Sequence, residues 1–457
     1  MGSPGKSALL LSFLVFCGTC AQADTLRDAV REAVTTNPSV RASQAEMRTA
    51  AFELMQLRGE YLPVVTLSGD AGYQRVDDPG SLSAADNDST KSRNRLEVQA
   101  EYVLFDGFRR SNLVYANAAR VDGSVFRLLD ASEIMALNAT EAYIDVHRLR
   151  ELIAVAKDNV AKHVEIGERV GDLVDGGRLP FSDQLTIEDR IRSAQLALLQ
   201  VQRASRDAEA RFERIVGRAP AQSMRVTQAP APASLPAMQA SALENSYRVR
   251  FARSQIDETR FQTDVTLSDR YPQLSLRAGV LRDINRNGVT GTRTDETLGL
   301  SFRWTLYQGG RKDERNALAE EESRALAEQE IAVREVNELV ARVWNTYRTD
   351  LERTNQLTEQ LRINRLIVQV YGDEFEAAKR TLLDLLEVER ARFNVEFETV
   401  GARAGLAFST YRALAAQSRL AAHFDIAPSD IALEPMFQER AQQAPTAVFD
   451  VTIEPLK

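Results

Sequence analysis

The chain has 457 residues but only two cysteines, Cys17 and Cys20, and both lie close to the N-terminus. A disulfide scaffold or a cysteine-based metal centre in the body of the protein is therefore excluded. Histidine is nearly as rare, and the wide spacing of His147, His163 and His423 forms no local metal motif. The sequence also has no nucleophile elbow and no phosphate-binding loop, so nothing in it indicates an enzyme or a bound cofactor.

Prolines are unevenly placed, acidic residues outnumber basic ones and long apolar runs are lacking, and each of these features limits the fold or the partners. No proline occurs between Pro272 and Pro428, and because proline interrupts helices, this stretch permits very long ones. The formal net charge of -8 argues against the phosphate backbone of a nucleic acid as a partner. The apolar runs are too short for a membrane-spanning helix.

The N-terminus has the three-part pattern of a secretory signal peptide. Lys6 supplies a positive start, a ten-residue run ending at Cys17 is apolar except for one serine, and Ala21-Gln22-Ala23 is a small-x-small cleavage site. We expect residues 1–23 to be removed on export, together with both cysteines. The residues before Cys20 lack the aliphatic side chain expected three positions ahead of a lipidated cysteine, which disfavours a lipoprotein.

The rest of the sequence repeats one plan twice. It divides into a first copy, a Pro/Ala-rich linker, a second copy and a tail, at residues 24–220, 221–240, 241–420 and 421–457. The phrase Leu104-Phe105-Asp106-Gly107 in the first copy corresponds to Leu306-Tyr307-Gln308-Gly309 in the second. The tail is expected either to wrap around the outside of the helices or to be disordered.

Each copy contains two stretches in which apolar and polar residues alternate. Period two predicts strands with one apolar face, and we place the strands at about 62–76, 94–105, 272–285 and 297–307. A tilted strand crosses a bilayer in about ten residues, so each stretch is long enough to do so. The alternative is a pair of ordinary half-buried hairpins.

Long helices follow the strands in both copies. We place them at about 108–175, 180–217, 310–376 and 380–420. Their apolar residues keep a 4-3 spacing, as in Val333, Val336, Val340, Val343 and Tyr347. This spacing predicts coiled coils, here as two helical hairpins. At about 1.5 Å per residue, the longest helices reach on the order of 100 Å.

The number of strands bears on the assembly. Two β-hairpins supply four strands, whereas closed membrane barrels need about eight or more. If these strands enter a membrane, several copies must share one barrel, and cyclic symmetry is the natural arrangement. The alternative is a soluble periplasmic coiled-coil scaffold whose β-hairpins pack on protein.

This order of features resembles the TolC family of outer-membrane factors. The resemblance rests on Tyr61-Leu62-Pro63 before the first strand, Leu306-Tyr307-Gln308-Gly309-Gly310-Arg311 after the last strand, and the run Arg-Thr-Leu-Leu-Asp-Leu-Leu-Glu at 380–387. It implies an α+β membrane protein with a duplicated β-hairpin and a duplicated coiled-coil helical hairpin. Three copies would form a twelve-stranded β-barrel in outer-membrane lipid, continued by a periplasmic α-helical barrel.

The resemblance also implies partners. A homotrimer of this family docks through a periplasmic adaptor (membrane fusion) protein onto an inner-membrane transporter. The sequence is most similar to the type I secretion branch, which serves ABC exporters and passes a secreted protein through the outer membrane of Gram-negative bacteria. Drug efflux with an RND pump is the alternative, because efflux members share the same plan.

Finally, the resemblance assigns a gate at the periplasmic tip. Asp384 and Glu387, at i and i+3 on one helix face, match the family's acidic rings, which attract cations. The links that close the gate match Ser182, Asp183, Phe375 and Arg380. We expect a charge-assisted Arg380–Asp183 pair, whereas Phe375 replaces the family's tyrosine and has no hydroxyl to donate. The alternative is that all six are ordinary solvated residues of the helix tips.

Overall fold

The computed structural model describes residues 24–442, so the predicted signal peptide and residues 443–457 of the tail lie outside it. The strands are β1 (Asp24–Thr25), β2 (Val64–Val76), β3 (Ser89–Phe105), β4 (Met224–Arg225), β5 (Gln273–Ile284) and β6 (Thr292–Arg303). The helices are α1 (Leu26–Thr36), α2 (Pro38–Gly59), α3 (Arg109–Asp175), α4 (Phe181–Val216), α5 (Leu235–Asn245), α6 (Tyr247–Leu267), α7 (Arg311–Glu376), α8 (Leu382–Ala415), α9 (Leu420–His423) and α10 (Phe437–Gln442).

The long strands form one antiparallel sheet in the order β2-β3-β5-β6. Each copy contributes one hairpin, and β3 pairs with β5 to join the copies. In the described chain, β2 and β6 each have a neighbour on one side only. Their apolar side chains are open to solvent, for example Leu67 at 67% and Leu298 at 77% of full exposure.

The long helices form two hairpins. α3 packs along α4, α7 packs along α8, and α3 also contacts α8, so the hairpins lie side by side. The 4-3 spacing explains the packing of α7, because Val336, Val340 and Val343 are all buried. Within residues 24–442, no helix combines the length and the apolar character that crossing a membrane requires.

The two helical hairpins turn in the same way. Each turn contains a residue with positive φ, Gly177 at +69° in the first hairpin and Ala378 at +57° in the second. Backbone hydrogen bonds of 2.8 Å close both turns, from Arg178 N to the oxygen of Leu173 and from Lys379 N to that of Glu374. We call these two turns and the helix ends that flank them, residues 166–187 and 371–388, the hairpin tips.

The predicted linker at 221–240 contains regular secondary structure. β4 pairs in parallel with β1, which ties the segment to the start of the described chain, and α5 begins at Leu235 inside the stretch. Prolines and alanines indicate a connection locally, but the tertiary pairing decides the structure here. The last long helix also ends earlier than predicted, at Ala415 rather than about 420.

The described part of the tail packs along α3. The start of α9 contacts Glu133 of α3. The buried carboxylate of Glu133 accepts hydrogen bonds from the backbone nitrogens of Leu420 at 2.9 Å and Ala421 at 3.1 Å. Burial raises the pKa of Glu133 to about 7. Further on, α10 contacts α3, so residues 421–442 follow the wrapped alternative rather than the disordered one.

Candidate functional site

The two hairpin tips meet around an apolar cluster. Phe375, at the end of α7, is only 7% exposed and packs with Ile187 of α4 and Leu382, Leu385 and Leu386 of α8. Burying an aromatic side chain contributes about 1.5–3 kcal/mol. Phe375 therefore connects the two tips through apolar contact, although it lacks the hydroxyl group of the family's tyrosine.

A cavity of about 610 Å³ lies beside this cluster. Three of the predicted link residues, Asp183, Phe375 and Arg380, line it together with parts of both tips. Ser182 lies next to Asp183 in the first turn of α4, where its carbonyl oxygen accepts a hydrogen bond from the Thr186 hydroxyl at 2.8 Å. The fold thus brings the residues predicted from the two hairpins to one place.

In the described protomer, Arg380 pairs with Glu374 rather than with the predicted Asp183. Arg380 donates Nε to the Glu374 carboxylate at 2.8 Å, and its guanidinium lies 4.3 Å from the centre of the Tyr371 ring. The hydrogen bond to Glu374 raises the pKa of Arg380. Because the turn brings Glu374 close to Arg380, a partner within the same hairpin takes the place predicted for Asp183.

Asp384 has a structural role in addition to its predicted one. Its carboxylate accepts hydrogen bonds from Thr381 N at 3.1 Å and the Thr381 hydroxyl at 2.8 Å, while Asp384 N donates to that hydroxyl oxygen at 3.3 Å. This capping box starts α8. The bonds from Thr381 lower the pKa of Asp384, which keeps the carboxylate charged.

Glu387 lies one turn further along α8 and is exposed, with a long 3.4 Å contact to Arg390. Asp384 and Glu387 both line a second cavity, of about 410 Å³, between α3, α4 and α8. His163 and Arg190 line the same cavity from the first hairpin. The two acids therefore share one face of α8, as their spacing predicts.

Ion pairs that were not predicted from the sequence also connect the hairpins. Arg169 of α3 contacts Glu376 of the second tip at 3.1 Å. Higher up, buried Arg392 of α8 contacts Glu389 at 2.8 Å and reaches Asp158 of α3 at 3.4 Å. The signal in the sequence was the crowding of charged residues on the coiled-coil faces, which were predicted to face water.

Comparison with known proteins agrees with this architecture. The family described as "Outer membrane efflux protein" matches residues 29–218 and 239–416. The outer membrane efflux protein BepC of Brucella suis biovar 1 (strain 1330) is 24% identical over 423 residues, which cover 91% of this chain and 90% of that protein.

Solved structures share the fold. The CmeC outer membrane channel of Campylobacter jejuni is 12% identical with a TM-score of 0.75, over 88% of this chain and 87% of that one. The outer membrane protein VceC of Vibrio cholerae is 16% identical with a TM-score of 0.72, and the match covers 86% of this chain and 96% of that one. The predicted fold class is confirmed.

Proposed function

Since this chain belongs to the outer membrane efflux protein family, whose members are outer-membrane channels of tripartite export systems, we propose that it is the passive duct of a type I secretion system. The protein is located in the outer membrane, with its long helices extending into the periplasm. In this proposal a homotrimer accepts a secreted protein from an ABC exporter through a periplasmic adaptor.

The observation that supports a channel shared between several copies is that the sheet and the helical hairpins both have uncovered sides. The sheet has free edges at β2 and β6 among the described residues, and such edges pair readily with other strands. In a bilayer, unpaired backbone groups are not tolerated, so three copies of the four strands would have to close on one another. The alternating apolar face of each strand would then contact outer-membrane lipid.

The helical hairpins also have uncovered apolar faces on both sides. Leu196 and Leu199 of α4 are exposed on one side of the paired hairpins, and Ile363, Leu366 and Val370 of α7 are exposed on the other. The residues on α7 keep the 3-4 spacing of a coiled-coil face that lacks its partner. A neighbouring copy would cover both faces and complete a tube below the sheet.

Secretion can be separated from drug efflux in the bacterium that encodes the chain. Deleting its gene should abolish release of one exported protein into the medium, and expression of the full-length chain should restore it. Mass spectrometry of the culture supernatant provides the measurement. If instead only sensitivity to small toxic compounds changes, the chain serves the efflux alternative and the secretion assignment is wrong.

We further propose that Asp384 and Glu387 form the acidic rings of the periplasmic gate. In a trimer, threefold symmetry would place six carboxylates around the opening, where they attract cations and repel anions. Hydrogen bonds from Thr381 lower the pKa of Asp384 and so favour its charged form. Phe375 would hold the two tips together through its buried ring, with Ser182, Asp183 and Arg380 beside it at the same junction.

Neutralising both acids should weaken the cation preference of the channel. We expect Asp384→Asn with Glu387→Gln to lower the cation-to-anion permeability ratio by about fivefold, because a loss on the order of 1 kcal/mol of ion stabilisation has this effect. Reversal potentials across a planar bilayer under a salt gradient measure the ratio. Asparagine can still accept hydrogen bonds from Thr381, so the cap of α8 is retained.

The matched control removes two exposed acids far from the tips, Glu330→Gln with Glu338→Gln, both on α7. This variant changes the net charge equally and should leave the permeability ratio unchanged. If the two double variants behave alike, the acidic pair of α8 is not the selective ring.

A further inference from the structure

Two loops lie at the end of the sheet that is farther from the long helices. One joins β2 to β3 at residues 77–88 and the other joins β5 to β6 at residues 285–291, and we call them the outer loops. Both α3 and α7 begin beyond the opposite end of the sheet, after β3 and β6. Since the long helices extend into the periplasm, the outer loops lie at the outer mouth of the channel.

A single lysine ties the two outer loops together. Lys91, near the start of β3, donates hydrogen bonds from Nζ to the backbone oxygen of Gly288 at 2.9 Å and to the Thr290 hydroxyl at 2.7 Å. It also pairs with the Asp86 carboxylate of the other outer loop. The Thr290 hydroxyl in turn donates to the same carboxylate at 2.6 Å. The side chain of Lys91 is only 15% exposed, so salt screens these contacts weakly.

The alternation of β3 shows which way Lys91 points. Lys91 shares a face with Arg95 and Glu97, because side chains two residues apart lie on the same side of a strand. The opposite face carries exposed apolar side chains such as Leu96, and this is the face that would contact lipid. The outer loops held by Lys91 therefore bend over the polar face, which would line the inside of the channel.

Arg286 of the second outer loop gives an independent indication of the same direction. It contacts the Asp295 carboxylate at 3.1 Å and lies 4.0 Å from that of Asp283. Asp283 pairs with Arg95 in the register of β3 and β5, and Asp295 lies on the same face of β6. The side chain of Asp283 is only 2% exposed, whereas that of Arg277, lower on this face, is 43% exposed. The loop thus covers the outer part of the polar face.

We propose that the outer loops of three copies form a size filter just inside the outer mouth of the channel, held in place by Lys91. Small solutes and extended polypeptide segments pass between the loops, whereas bulky folded solutes are retained. Lys91 and Arg286 set the width of the filter because they keep the loops over the polar face. The inference rests on the closure of the sheet by three copies proposed above, but not on whether the channel serves secretion or efflux.

Labelling of a single cysteine from outside intact cells tests the filter. Both native cysteines lie in the predicted signal peptide, so Ser68→Cys supplies the sole thiol of the mature chain. Ser68 pairs with Glu97 and therefore lies on the polar face. It is six residues, about 20 Å, below Gln74, which pairs with Lys91.

Two maleimides of different size should label this cysteine at different rates. A small membrane-impermeant maleimide should react readily, whereas a maleimide that carries a long polyethylene glycol chain should react several-fold more slowly. Ser81→Cys, on the exposed part of the first outer loop, calibrates the two reagents. If Ser68→Cys reacts with both reagents as Ser81→Cys does, the outer mouth is open and the filter is wrong.

Removing the lysine should open the filter. In the Ser68→Cys background, Lys91→Met should raise the rate with the large reagent several-fold and leave the rate with the small one nearly unchanged. The matched control is Arg75→Met, which removes a cation from the same end of the sheet. Arg75 contacts Asp88 at 2.7 Å within one hairpin, so the tie between the loops is kept. An unchanged rate in Lys91→Met, or an equal rise in Arg75→Met, contradicts the role of Lys91.

Oligomer formation separates this inference from the closure on which it rests. Heat-modifiable trimers should be equally abundant in the outer-membrane fraction of all these variants. If trimers form and the wild-type loops still admit the large reagent, the filter is wrong and the closure stands; if no trimer forms, both are wrong. Where Lys91→Met assembles poorly, Thr290→Val removes the hydroxyl that links Lys91 to Asp86 and should give a smaller rise in the same rate. No rise in that variant overturns the filter as well.

Discussion

Replacing Gly107 by alanine should prevent the protein from folding into its native assembly. Gly107 has φ = +69°, and a Cβ atom there would lie 2.5 Å from the backbone oxygen of Ser268 and 2.7 Å from Cβ of Tyr271. The left-handed conformation alone costs a non-glycine residue about 1 kcal/mol or more. The overlap with backbone adds to this, because the link between β3 and α3 would have to move away from the turn before β5. We expect a total loss above about 3 kcal/mol.

The duplication supplies a matched control. Gly309 holds the equivalent place in the second copy, in the phrase Leu306-Tyr307-Gln308-Gly309, but a Cβ atom there would meet no atom of residues 24–442 within 4 Å. Gly309→Ala should therefore leave normal amounts of heat-modifiable oligomer in the outer-membrane fraction, whereas Gly107→Ala should leave little. Equal yields of the two variants would show that the junction at Gly107 tolerates a side chain.

This pair of glycines shows what the sequence could and could not reveal. The repeated phrase and the alternating strands are local patterns, and they located the β-hairpins and the junctions to the long helices. Which of the two glycines is enclosed depends on Ser268 and Tyr271, which come from the other copy of the repeat. Such contacts arise only when β3 and β5 pair, so no window of sequence contains them.

At the hairpin tips, too, some features could be predicted from the sequence and others could not. The i, i+3 spacing of Asp384 and Glu387 places both acids on one face of α8, because helix geometry alone determines it. The partner of Arg380 could not be chosen in advance, since Asp183 and Glu374 both carry the required charge. The fold of the turn places the Glu374 carboxylate 2.8 Å from Nε of Arg380, so Glu374 is the partner. The burial of Phe375 likewise follows from how the two hairpins pack.

The packing of the tail on α3 was the part of the fold that the sequence predicted least. The second prediction with a large expected effect concerns the buried ion pair that holds α10 of the tail. Asp122 of α3 accepts hydrogen bonds from the backbone nitrogen of Phe437 at 3.0 Å and from Arg440 at 2.5 Å, in a buried setting. Asp122→Ala should destabilise the protein by about 3–5 kcal/mol, because it leaves a buried guanidinium without its counter-charge. Thermal unfolding in detergent measures the loss. Trypsin should also cleave after Arg440 much faster.

A second ion pair on α3 makes the reason for this loss testable. Asp130, eight residues along the same helix, contacts Arg248 at 3.3 Å, but both side chains are partly exposed. Asp130→Ala should cost at most about 1 kcal/mol of stability.

In the Asp122→Ala background, Arg440→Met should recover part of the stability, since the unpaired charge is then gone. If Asp122→Ala costs no more than Asp130→Ala, burial does not set the strength of this contact, and α10 is held to α3 by its apolar side chains alone.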